Sequence, residues 1–212
     1  MRSIKLRTSL LFITVLVAAA AYGRGSTPKE LVVNLKFKPQ EGVATNAASI
    51  PPSMREKSVD IRVEDGRGES DPVKIGQGTG GDDKTFPIRA SSDIKPFLKE
   101  TLGGVAKDWS LKTDSKGADR VLVINITRFY IDESNKALGS IYTSDVKLSY
   151  TLKSGGGKTL AEGVGTGSTH RYGRAHSEEN INEVLSDALK EAFASVLNDS
   201  AVQSAWTSGK KN

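Results

Sequence analysis

Apolar residues recur along this chain at two spacings, and the switches between them divide it into elements. Ile181, Val184, Leu185, Ala188, Leu189, Ala192, Phe193, Val196 and Leu197 return every three or four positions, which predicts a helix with one apolar stripe. Ser177 stands at the N-cap position, and Glu178 and Glu179 fill a first turn that favours negative charge. A second stripe, Ile94, Phe97, Leu98, Leu102, Val105 and Ala106, follows a capping Ser92 or Asp93 and carries Pro96 in its first turn. Gly103 and Gly104 weaken the end of that helix by about 1 kcal/mol each.

Period-two alternation marks the strands. Residues 31–37 and 58–63 alternate, while residues 119–131 are apolar on both faces at Val121, Leu122, Val123, Ile124 and Ile126, as in a central strand. A loop over 132–135 leads to a strand at 140–152. There Tyr142, Val146, Leu148, Tyr150 and Leu152 share one face and Thr143, Asp145, Lys147 and Ser149 the other. The turn at 154–157 returns the chain as a strand over 158–168. Residues 39–52, broken by prolines, read as a loop. Residues 66–92 read as a long glycine-rich loop with room for a short strand at 73–75. The polar tail 201–212 reads as flexible despite Trp206. Residues 31–200 are thus expected to form a single α+β domain, a two-layer sandwich with a mainly antiparallel sheet and two amphipathic helices on one face.

The N-terminus follows neither period. Arg2, Lys5 and Arg7 precede an apolar run from Leu10 to Ala21 and the small residues Ala18, Ala19, Ala20, Ala21 and Gly23. A dozen apolar residues fall short of the roughly 20 that a membrane span needs. Residues 1–23 therefore read as a secretory signal peptide, cleaved after Ala21 or Gly23, with 24–30 a linker. The expected location is the bacterial periplasm or cell envelope, with no transmembrane helix in the mature chain. The three leader cations make up more than half of the net charge of +5, and the remaining charges are interspersed. A nucleic-acid partner is not expected. The sequence contains no cysteine, which removes disulfides, thiol chemistry, thiolate metal sites and acylation of a cysteine.

Few motifs carry chemistry. Gly76, Gly78 and Gly81 have the spacing of a dinucleotide fingerprint, but the residues after them start no helix and add acids. Gly157-Lys158-Thr159 lies in a hairpin turn, not before a helix. No Gly-x-Ser-x-Gly elbow occurs, and the paired carboxylates fall at turns and helix starts. His170, Arg171, Tyr172, Arg174 and His176 form the one dense polar-aromatic cluster. Two histidines six apart do not complete a metal site, and the arginines repel a cation. This chemistry suits an anionic headgroup, a glycan or a partner carboxylate, against the ordinary alternative of an exposed connecting segment. No metal or cofactor is called for.

Val63-Glu64-Asp65-Gly66-Arg67 closes an early strand as a Val-x-Asp-x-Arg turn. An amphipathic helix follows, then Ala118-Asp119-Arg120-Val121-Leu122-Val123-Ile124-Asn125-Ile126, the alternating meander and a capped last helix with a Glu-rich first turn. This order and these motifs resemble the YajG-type family of bacterial cell-envelope proteins, usually lipoproteins, over residues 31–200. The resemblance implies an envelope location and a binding or assembly role. Family members typically carry a lipobox cysteine after the signal, and Ala21-Tyr22-Gly23-Arg24 has none. The expected function is an exported, non-enzymatic envelope binding or accessory protein, with Asp65, Arg67, His170, Arg171 and Arg174 as candidate contacts. The alternatives are an auxiliary periplasmic subunit of an envelope lipid-transport system and a cell-wall-active hydrolase.

Overall fold

The computed structural model describes residues 27–40 and 50–208; the leader 1–23 and the end of the tail, 209–212, lie outside them. In chain order the elements are β1 (Leu31–Val33), α1 (Pro52–Arg55), β2 (Ser58–Asp65), β3 (Lys74–Thr79), β4 (Thr85–Ala90), α2 (Ile94–Asp108), β5 (Lys112–Thr113), β6 (Arg120–Lys136), β7 (Gly139–Ser154), β8 (Thr159–Gly173), α3 (Glu178–Asn198) and α4 (Ser200–Thr207). This is the expected α+β sandwich. The two longest ladders, β6–β7 and β7–β8, are antiparallel. The pairings β1–β4, β2–β5, β2–β6 and β3–β6 are parallel, so the sheet is mixed.

Strand β6 organises the sheet. One edge pairs with β7 from Arg120 to Lys136. The other edge is shared: β2 takes Arg120 to Ile126, and β3 takes Ile131 to Ser134. A register shift between Ile126 and Arg128 falls between the two halves. The inward residues Leu122, Ile124, Ile126, Phe129 and Ile131 are all buried.

Five sequence expectations change here. The glycine-rich segment 66–92 is largely a hairpin, β3 and β4, because Gly76 and Gly78 occupy strand positions that a side chain cannot fill. A Cβ at Gly76 would overlap Ile131, and one at Gly78 would overlap the Phe86 ring. The segment 31–37 is a strand only to Val33, after which it leaves the sheet to cross α3. The strand over 158–168 continues to Gly173, and 132–135 is strand as well. The tail is not free over 200–207: it forms α4, capped by Asp199 and anchored by a fully buried Trp206. Tyr150 Oη donates to Asp199 Oδ2 at 2.6 Å, and Arg120 Nη2 donates to Trp206 O at 2.8 Å, which fixes that helix to the sheet.

Helix α3 is buried on two sides. Toward β8 it rests on backbone, since a Cβ at Gly165 would lie 2.5 Å from Ala192 O and one at Gly167 would overlap Ala188 O. On its far side residues 34–40 run as a strap whose backbone is bonded by helix side chains. Lys36 N donates to Asn182 Oδ1 (3.0 Å), Lys38 N to Ser186 Oγ (2.8 Å) and Gln40 N to Asp187 Oδ1 (3.1 Å). Asn182 Nδ2 returns a bond to Asn34 O at 3.1 Å. The spacing 182–186 is one helical turn and matches every second strap residue.

Candidate functional site

The Asp65–Arg67 turn lies where β2 ends and β3 begins. Gly66 N donates to Ile126 O at 3.0 Å, which holds the turn on β6 at the junction. Arg67 Nε and Nη2 bond Asp65 Oδ1 and Oδ2 at 2.9 and 2.8 Å. The same guanidinium donates to Lys74 O at 2.8 Å and Pro72 O at 2.6 Å. Its side chain is only 3 % exposed. The Arg67 hydrogen bonds hold the Asp65 carboxyl below its ordinary range, against the opposing effect of burial. Arg67 is therefore enclosed by the fold. Its planar fork ties two strands that share one edge of β6.

The cluster around His170 is divided by the strand that carries it. Because β8 runs to Gly173, His170 and Arg171 point to opposite faces. Arg171 faces α3 and ion-pairs with the nearly buried Glu183. His170 is exposed on the open face of the sheet, two residues from the exposed Tyr172. Arg174 lies beyond the strand, exposed, on a shallow hollow of about 340 Å³ with Lys36, Lys38, Glu179 and Asn182. There Lys38 pairs with Glu179 and holds its carboxyl low, with Arg171 and Arg174 adding to the effect. The structure thus separates the five candidates: His170 and Arg174 remain on the surface, Asp65 and Arg67 are bonded to each other in the turn, and the half-buried Arg171 is paired with Glu183.

A polar cluster that the sequence reading passed over lies at the start of α3. Glu133, fully buried, accepts from Tyr142 Oη at 3.0 Å and from His176 N at 2.7 Å. His176 Nδ1 lies 3.4 Å from the same carboxylate oxygen, and its ring meets Phe86 edge-on with centroids 5.2 Å apart. Tyr142 Oη also accepts from Ser177 N at 3.0 Å and reaches Arg174 O at 2.6 Å. Burial pushes the Tyr142 hydroxyl far above its ordinary value, so it stays protonated. His176 holds φ at 55°, a left-handed conformation uncommon outside glycine. Chemically the group is a clamp: a carboxylate and a phenol satisfy the N–H groups that precede the helix, as a cap would. The sequence signal was present, since Glu133 keeps inward phase with Phe129 and Ile131. On the same face, Glu133 Oε2, Ser140 Oγ and Ser144 Oγ are buried without hydrogen-bond partners.

Among the described residues there is no group of three His, Cys, Asp or Glu side chains placed to hold a metal. No described helix is long and apolar enough to cross a membrane.

Fold and clamp together define an α+β sandwich whose interior polar groups join one element to another. The chain belongs to a family of uncharacterized lipoproteins, whose family model matches residues 45–206. No curated protein matches it. Among solved structures it is similar to protein XCC0632 from Xanthomonas campestris, at 10% identity over 84% of this chain and 97% of that one, with a TM-score of 0.49. A minor lipoprotein from Acinetobacter baumannii is 9% identical over 66% of this chain and 92% of its own, with a TM-score of 0.37. PelC from Paraburkholderia phytofirmans, crystallised as a dodecamer, is 10% identical over 74% and 92%, with a TM-score of 0.36.

Proposed function

We propose that this chain is an exported, non-enzymatic accessory protein of the bacterial cell envelope, a YajG-type member of its family, that acts by binding a partner. The observation that carries the reading is the family match over residues 45–206. Binding rather than turnover is favoured by how the polar groups are spent. Glu133 and Tyr142 bond the backbone at the start of α3, and Arg67 bonds the carbonyls of Pro72 and Lys74. The exposed His170 and Arg174 remain for an envelope protein, a glycan or a lipid headgroup with anionic character.

Fractionation of producing cells, with affinity capture from solubilised envelopes, tests the proposal. The chain is expected in the envelope fraction, and His170→Ala/Arg174→Ala is expected to lose a partner that the native chain retains. Recovery in the cytosol would overturn the location. Identical partners from both forms would remove His170 and Arg174 from the contact surface.

A further inference from the structure

Strand β2 has a half-used edge. One side pairs with β6 from Val59 to Asp65, while the other meets β5 only at Ser58 and Val59. As the chain leaves β5, Asp114 N donates to Val59 O at 2.9 Å, and among the described residues no strand continues that row. In a parallel ladder every second residue turns its N–H and C=O to the same side. Ile61 and Val63 therefore present theirs to the unpaired row, in phase with Val59.

Beside that row runs a groove of about 760 Å³ between β2 and α2. Val59, Asp60 and Ile61 line it on the strand side, and Pro96, Lys99 and Gly103 on the helix side. Its helix wall is stripped of side chains at two adjacent positions. A Cβ at Gly103 or Gly104 would meet nothing within 4 Å, so internal packing does not require either glycine. Neither has a positive φ, and each costs the helix about 1 kcal/mol.

An unpaired row of backbone donors and acceptors beside an open cleft matches an extended polypeptide backbone. We propose that the β2–α2 groove binds an extended segment of a partner protein as an added strand. The segment would continue the β5 row along Ile61 and Val63 and lay alternate side chains over Gly103 and Gly104. This deepens the binding reading by naming the class of partner. It uses a surface distinct from His170 and Arg174, so failure of the envelope assignment leaves its test intact.

The test pans the full chain against phage-displayed random heptapeptides and follows amide exchange at Ile61 and Val63. Enriched peptides are expected to protect both amides. Gly103→Leu and Gly104→Leu, which fill the groove, are expected to weaken those peptides at least tenfold without lowering the melting temperature. No enrichment, or peptides that bind and leave these amides unprotected, would overturn the proposal. Protection that grows with protein concentration in the absence of peptide would assign the edge to a second copy of the chain and overturn it equally.

Discussion

Glu133 and Tyr142 face each other across the β6–β7 ladder, the phenol 3.0 Å from the carboxylate, and between them they hold the residues that open α3. Tyr142→Phe removes the acceptor for Ser177 N–H and the one O–H shared between Glu133 and Arg174 O while keeping the ring. A buried N–H left unpaired costs about 1–3 kcal/mol. Denaturant melts should show a loss in that range, and exchange at Ser177 and His176 should quicken ahead of the rest of α3. Uniform exchange along α3 would contradict the clamp.

The glycines divide into two groups with opposite expected signs. Gly165→Ala and Gly167→Ala push a methyl into α3 backbone and should destabilise by about 1–3 kcal/mol through overpacking. Gly103→Ala and Gly104→Ala enter open space on a helix and should stabilise by about 0.5–1 kcal/mol each. Four melting curves check this, and a stabilising Gly167→Ala would refute the close packing of β8 on α3.

Two carboxylates should tilt the pH dependence of stability in opposite directions. The folded state depresses Asp65, so its contribution is complete above the ordinary value of 3.8 and is lost as pH falls through the lower folded value. Burial raises Asp187, so its contribution is present below 3.8 and is lost as pH rises through its higher folded value. Asp65→Asn should flatten the acid limb of the stability curve. Asp187→Asn, which keeps an acceptor for Gln40 N–H, should leave stability at neutral pH equal or higher. A fall at neutral pH with Asp187→Asn would show that the ionised form is the one the fold uses.

Trp206 is fully buried, and removing such a side chain costs about 3–5 kcal/mol. Trp206→Ala should therefore lower the denaturation midpoint strongly, with α4 leaving the sheet. A change within error would return residues 200–207 to the status of a loose tail.

The apolar periodicity made α2, α3 and the cores of β6, β7 and β8 legible, because each pattern there reports burial on a single face. It failed where burial takes another form. Gly76 and Gly78 are strand residues whose inward neighbours leave no room for a side chain, so their segment carries no alternation to read. Asn182, Ser186 and Asp187 look like a solvent face but are buried under the strap, where each accepts from a backbone N–H nearly 150 positions away. Trp206 belongs to a stripe of only three residues, Val202, Ala205 and Trp206, too short to announce a helix by itself. At the candidate surface, following period two through Gly173 would have shown His170 and Arg171 on opposite faces. Nothing in the spacing of Asp65 and Arg67 could show that the Arg67 guanidinium also bonds the carbonyls of residues 72 and 74.

The strap over α3 also bears on when this molecule can fold. Its partners on α3 begin at Glu179, so residues 34–40 have no seat until that helix has emerged from the ribosome. The sheet has the same delay, since β2 waits for β6 and the β3–β4 hairpin docks only once β6 is made. Ordering so distant a contact pays its loop-closure entropy last and slows folding. During synthesis the strap and β2 wait for partners made later, while the β3–β4 hairpin and α2 can close on themselves, so the fold is completed only when its far end arrives.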